Sequence, residues 1–146
     1  MTRQAAFLVL LLFSTFYALG RGGRPEKFGA AAMMMAALLS VLAVRPRELR
    51  FQQVETGVLV IDTVLLLFFV WLSVKSTRFW PLWVSALLGA EVAVHIASMI
   101  APAFAAAAYM NANAPWSWLA QTVLVIATKR HQLRLQNSGA DAPWKA

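Results

Sequence analysis

The sequence lacks cysteine and has few charged residues, and both absences restrict the class of protein. Among its 146 residues there is no cysteine, 13% are Asp, Glu, Lys or Arg, and 60% are hydrophobic. The lack of cysteine excludes disulfide bonds, thiol chemistry and cysteine-ligated metal sites. A soluble domain of this length needs many more polar residues to cover its core. The composition therefore favours a chain that is surrounded by lipid.

Apolar runs close to the length of a membrane span recur along the chain. They predict an all-α fold, a polytopic transmembrane bundle of about five helices. We expect the helices at residues 4–20, 28–44, 56–74, 80–101 and 115–128, within one domain that covers residues 1–128. Residues 129–146 are predicted to form a flexible, basic cytoplasmic tail. The Ala-rich stretch 103–114 is predicted either to lie at the membrane interface or to extend the last helix.

The basic residues give the orientation of the bundle. With the N-terminus outside, nine basic residues lie on the inner side, three in the first loop, two in the third and four in the tail. Four lie on the outer side, Arg3 and three in the second loop. Basic residues favour the cytoplasmic side, so an N-out, C-in topology is predicted. The first run could be read as a signal peptide. Because a basic loop follows it, an uncleaved helix is the preferred interpretation.

Polar residues inside the predicted spans are the candidate functional residues, because ionisable groups at bilayer depth are costly and are usually buried in the bundle. Asp62 lies in the third span, and Glu91 and His95 lie one turn apart in the fourth. The short turn between these spans forces an antiparallel hairpin, in which Asp62 and His95 reach the same depth. Gln121 on the last span is expected at that level as well.

Three interpretations of this polar cluster remain open. Asp62 and His95 can form a buried pair that fixes the register of two helices. The cluster can carry protons or bind a ligand, because histidine titrates close to physiological pH. It can also bind a divalent ion, although no metal-binding motif supports that. His95 and His131 are expected in opposite leaflets, so one haem cannot join them. No cofactor and no metal site is predicted.

Two further features indicate how the helices are placed. Gly89, Ala93 and Ala97 recur every four residues in the fourth span, a pattern that is typical of close helix packing. Aromatic and basic residues at the ends of spans are expected to anchor the bundle at the membrane interface. These predicted interface anchors are Arg78, Trp80, Trp83, Trp116 and Trp118.

The turn between the third and fourth spans reads Ser76-Thr77-Arg78-Phe79-Trp80-Pro81-Leu82-Trp83. Together with Arg21-Gly22-Gly23, Pro25-Glu26, the stretch 51–62 and His95, it resembles a group of small polytopic inner-membrane proteins of alphaproteobacteria. The likeness covers most of the chain and implies a location in a bacterial inner membrane. It implies no activity, because none is known for the group.

The sequence does not name a substrate, so function is predicted only as a class. We expect a binding, sensing or accessory subunit of a membrane assembly, and no enzyme activity is indicated. The alternative is a small proton-coupled transporter or channel that uses Asp62, Glu91 and His95. The expected partners are the lipid bilayer and either other membrane proteins or further copies of this chain. Nucleic acid is not expected as a partner, because the basic residues mark the ends of spans.

Overall fold

The structure is a computed structural model that describes residues 3–43, 56–100 and 114–145. These residues form five α-helices: α1 (Arg3–Arg21), α2 (Arg24–Ala43), α3 (Thr56–Lys75), α4 (Trp80–Ile100) and α5 (Ala114–Ser138). The predicted all-α fold is therefore confirmed. Helices α1 to α4 contain 19 to 21 residues. At 1.5 Å per residue they are about 30 Å long, the thickness of the hydrocarbon core. All four are long and apolar enough to span a membrane.

Two helices differ from the prediction by more than one residue. Helix α2 begins at Arg24 instead of residue 28, because Pro25 fits the first turn of a helix, where no N–H partner is needed. Helix α5 continues to Ser138 instead of residue 128. The predicted ends at residues 44 and 101, and both alternatives for residues 103–114, lie outside the described residues.

The five helices pack as a closed ring. Each helix contacts the next one along the chain, and α1 closes the ring against α5. Helices α1 and α5 are parallel: the ring centroids of Phe7 and Trp118 lie 5.8 Å apart near their starts, and the Gln132 amide donates to the carbonyl of Arg21 further along. Helix α5 therefore runs alongside α1, although it is not among the four helices that are apolar enough to span a membrane.

One end of the bundle, called the basic end below, holds the α1–α2 turn, the α3–α4 turn and the segment 139–145. The last helix ends in a turn at Gly139, which has a φ of +67°, a backbone conformation that glycine adopts easily. The chain then pairs with the α3–α4 turn, where N–H of Thr77 donates to Pro143 and N–H of Lys145 to Lys75. The prediction of a flexible tail from residue 129 is therefore wrong for the described residues.

The core fills the half of the bundle next to the basic end. Phe69, Leu72, Val84 and Leu124 are fully buried there and come from three helices. At Gly29 of α2, an added Cβ would lie 2.5 Å from the Trp80 ring, so the glycine permits a close approach. Many large apolar side chains point away from the core and remain exposed, as expected for a surface that faces lipid.

Candidate functional site

Asp62 and His95 are brought together by the α3–α4 hairpin, as the sequence predicts. Nε2 of His95 lies 3.1 Å from Oδ2 of Asp62. Both side chains are largely buried. Each residue lies within a helix that is long and apolar enough to span a membrane.

Glu91 lies one turn from His95 on α4 and is partly exposed to an internal cavity. Among the described residues, no side chain forms a hydrogen bond or ion pair with its carboxyl group. Asp62 lines the same cavity. Glu91 is thus a carboxyl group that faces open space within the bundle, next to the Asp62–His95 pair.

Gln121 also lines this cavity, but the structure gives it a different partner from those predicted. Ser14 of α1 donates a hydrogen bond to Oε1 of Gln121, and both residues are buried. The carbonyl of Leu11, on the same helix as Ser14, lies 3.0 Å from Oγ of Ser14 and competes with Gln121 for its single hydroxyl proton. Gln121 therefore joins α5 to α1 at the cavity wall.

The cavity has a volume of about 700 Å³ and lies between the helices at the end opposite the basic end. Every helix contributes to its wall, which is mostly apolar. Its ionisable lining residues are Arg3 near the mouth, and Asp62 and Glu91 deeper in. The remaining lining residues are Gln4, Phe7, Leu8, Leu11, Met33, Ala36, Ala37, Ser40, Val41, Val58, Leu65, Leu88, Ser117, Trp118, Ala120 and Gln121.

The floor of the cavity is apolar and leads into the packed core. Leu65 lies almost one turn beyond Asp62, and Leu88 almost one turn beyond Glu91, towards the basic end. Fully buried side chains such as Phe69 and Val84 fill the next turns. In the described part of the chain, the cavity is therefore blind at this floor, and the two carboxyl groups lie just above it.

The basic end contains a second polar cluster that the sequence interpretation missed. Oε1 of Glu26 accepts a hydrogen bond of 3.1 Å from the Trp80 indole and lies 3.7 Å from Nε of Arg78. The Glu26 side chain is fully buried. The sequence does show an acidic residue, Glu26, next to a basic turn. It gives no indication of the partners of Glu26, because they lie more than fifty residues away along the chain.

Asp141, in the segment after α5, completes this cluster. Its carboxylate accepts hydrogen bonds from Nη1 of Arg78 and Nε of Arg134, and lies 2.6 Å from Nδ1 of His131. Burial raises the pKa of Asp141, but the hydrogen bonds from Arg78, His131 and Arg134 outweigh it and lower the pKa to about 2. Asp141 thus holds the C-terminal segment on the bundle through its contacts with Arg78, His131 and Arg134, which are together called the latch below.

The predicted interface anchors have two different environments. Arg78 and Trp80 are buried by protein partners, so the prediction that they anchor the bundle in lipid is corrected: their polar atoms bind Glu26 and Asp141 instead. Trp83 is largely exposed, as an anchor should be. Trp116 and Trp118 are half-buried, and Trp118 packs against Phe7.

Among the described residues, the small residues of α4 do not form the predicted packing surface. Ala93 and Ala97 are exposed, and an added Cβ at Gly89 would meet no described atom within 4 Å. The buried face of α4 instead carries Val84, Leu88 and His95. The close helix approach occurs on α2, at Gly29.

Within the described ranges, no group of three His, Asp or Glu side chains is arranged to hold a metal ion. The metal interpretation of Asp62, Glu91 and His95 therefore has no geometric support. No protein-family model, curated protein or solved structure matches the chain. The resemblance to the alphaproteobacterial group stays a prediction, and function has to be argued from the cavity.

Proposed function

We propose that the protein is a membrane-embedded binding protein for lipophilic cations, and that it serves as a sensing or accessory subunit of an assembly in a bacterial inner membrane. The observation that carries this proposal is the cavity of about 700 Å³ with Asp62 and Glu91 in its wall. Small-molecule sites are typically apolar cavities of this size with a few polar groups that fix the ligand.

The chemistry of the wall favours a ligand with a positive charge and apolar substituents. Apart from Arg3 near the mouth, the ionisable side chains that line the cavity are both carboxylic acids. The Glu91 carboxyl group has no hydrogen-bonding or ion-pair partner among the described residues. A bound cation would provide a positive charge to pair with it. The surrounding leucine, phenylalanine and methionine side chains would cover the apolar part of such a ligand.

The blind floor favours binding over conduction. A channel needs a continuous path, whereas Phe69, Leu72, Val84 and Leu124 are packed beneath the cavity with no exposed surface. A ligand that enters from the lipid or from the cavity mouth would therefore stay next to Asp62 and Glu91. This arrangement suits a receptor that passes ligand occupancy on to a partner.

The test is a binding titration with tetraphenylphosphonium, a lipophilic cation, on the purified protein in detergent. Trp118 lines the cavity, so we expect tryptophan fluorescence to change on binding. Tetraphenylborate, which has the same shape and the opposite charge, should bind at least about tenfold more weakly. Equal affinity for both ions would contradict a role for the carboxyl groups.

A matched pair of variants controls for non-specific partition into the micelle. Ala37→Phe places a ring in the cavity, whereas Ala93→Phe places the same ring on the exposed side of α4. We expect the first variant to abolish cation binding and the second to leave it unchanged. Glu91→Gln should weaken binding of the cation and should not weaken binding of tetraphenylborate.

A second candidate is proton-coupled transport of the same class of ligand. It is favoured by one observation, that Glu91 faces the cavity beside the Asp62–His95 pair, where one carboxyl group could exchange a proton for a cation. Uptake of tetraphenylphosphonium into proteoliposomes with an imposed pH gradient tests it. Flux that is abolished in Glu91→Gln would favour transport, and binding without flux would favour the receptor. Co-purification from mild detergent tests for a partner subunit.

A further inference from the structure

A smaller pocket lies at the basic end, between the α3–α4 turn and α5. It has a volume of about 240 Å³, and it is separate from the cavity discussed above. We call it the arginine pocket. Its lining residues are Thr77, Arg78, Phe79, Trp80, Ala127, Arg130 and Arg134.

The arginine pocket has an excess of positive charge. Asp141 binds Arg78 and Arg134, but Arg130 has no acidic partner among the described residues. The wider basic end, over residues 21–27, 75–79 and 129–145, contains nine basic residues against two acidic ones, Glu26 and Asp141. Asp141 therefore neutralises only part of the positive charge, and the pocket can accept an anion.

The rim of the arginine pocket is aromatic and faces outward. The Phe79 side chain is 77% exposed and Trp83, one turn further along α4, is 65% exposed. The pocket lies where the apolar helix α3 ends and α4 begins, at the level expected for the membrane interface. An anion bound here would lie beside surface that is suited to hydrocarbon chains.

We propose that the arginine pocket binds the phosphate of an anionic phospholipid. Arg130 and the exposed part of Arg134 hold the phosphate oxygens, because guanidinium groups form paired hydrogen bonds with phosphate. The acyl chains lie along the apolar face that begins at Phe79 and Trp83. Basic pockets at the ends of transmembrane helices are suited to such head groups. The bound lipid would connect the α3–α4 turn to α5 independently of Asp141.

The test compares thermal unfolding of the full-length protein in nanodiscs of phosphatidylcholine alone with nanodiscs that also contain phosphatidylglycerol. We expect phosphatidylglycerol to raise the unfolding midpoint of the wild type. Arg130→Gln should remove most of that increase and weaken phosphatidylglycerol binding about tenfold. Lys129→Gln removes one charge at the neighbouring position, outside the pocket, and should retain the increase. Arg130 is exposed, so its substitution should leave the fold intact in phosphatidylcholine.

Three results would overturn the proposal. Equal losses in Arg130→Gln and Lys129→Gln would show diffuse attraction to a negative surface instead of a site. Equal midpoints in both kinds of nanodisc would show that the head group charge does not matter. If millimolar inorganic phosphate in phosphatidylcholine nanodiscs gave the full increase, the pocket would be a site for free anions and not for a lipid.

Discussion

Asp62 on α3 and His95 on α4 lie with Oδ2 and Nε2 3.1 Å apart, and this pair joins the two most apolar of the candidate membrane-spanning helices. A hydrogen-bonding pair inside a bundle holds one register, because sliding either helix by a residue would separate the polar atoms. The same pair lies beside Glu91, so it connects the packing of the hairpin with the proposed ligand cavity.

The first prediction concerns this pair. Asp62→Ala and His95→Ala should each lower the stability of the bundle, because each leaves a buried polar group without its partner. The double variant should be more stable than the sum of the two losses predicts, with a coupling energy of about 1–2 kcal/mol. Reversible unfolding in mixed micelles gives the four free energies. Strictly additive losses would show that the pair contributes no coupling.

The shared depth of Asp62 and His95 could be predicted, because depth follows from counting residues along a hairpin. Their contact also depends on the rotation of both helices, which that count does not give. The neighbours of Gly89 could not be predicted, because they depend on the rotation of α4 about its own axis. When almost every side chain in a span is apolar, the sequence gives little indication of that rotation. The small residues of α4 point outward in the structure, whereas the polar residue His95 lies on the buried face.

The second prediction concerns Gly29, the position where α2 approaches the Trp80 ring. Gly29→Ala should destabilise the bundle by about 1–3 kcal/mol, because the added methyl group overlaps a ring that Glu26 and Phe69 also hold. The measurement is the free energy of unfolding in mixed micelles, with the Trp80 environment followed by fluorescence.

Gly89→Ala is the matched control for Gly29→Ala. An added Cβ at Gly89 meets no described atom within 4 Å, and alanine favours a helix over glycine by up to about 1 kcal/mol. This variant should therefore be unchanged or slightly more stable. A loss of stability at Gly89 equal to that at Gly29 would contradict the packing described here.

The C-terminal segment shows another limit of prediction from sequence. The apolar run ends near Thr128 and predicts the end of the helix at that point. Lys, Arg, Gln and Leu, which follow, are good helix formers, so the helix continues to Ser138. The docking of Asp141 depends on contacts with Arg78, far away along the chain, and local composition carries no signal for it.

The third prediction concerns the latch. Asp141→Asn removes the negative charge that three basic side chains share, and leaves Arg78 with Glu26 at 3.7 Å. We expect a loss of about 2 kcal/mol in stability and release of the segment 139–145. Proteolysis of the C-terminus and the unfolding free energy measure the two effects. Asn137→Ala, at an exposed neighbouring position, should change neither, and a protected C-terminus in Asp141→Asn would rule out the latch.

The last prediction concerns pH. The hydrogen bonds of Asp141 lower its pKa in the folded protein to about 2, whereas an unperturbed aspartate has a pKa of about 3.9. Since the unfolded chain takes up this proton first, the contribution of Asp141 is complete above about pH 4 and is lost as the pH falls towards 2. Other carboxyl groups titrate in the same range, so the informative quantity is the difference between wild type and Asp141→Asn. That difference in unfolding free energy should be constant between pH 5 and 6 and should shrink steadily below about pH 4. A difference that stays constant down to pH 2 would mean that the ionised form of Asp141 does not hold the segment, and that its hydrogen bonds act equally well with a protonated group.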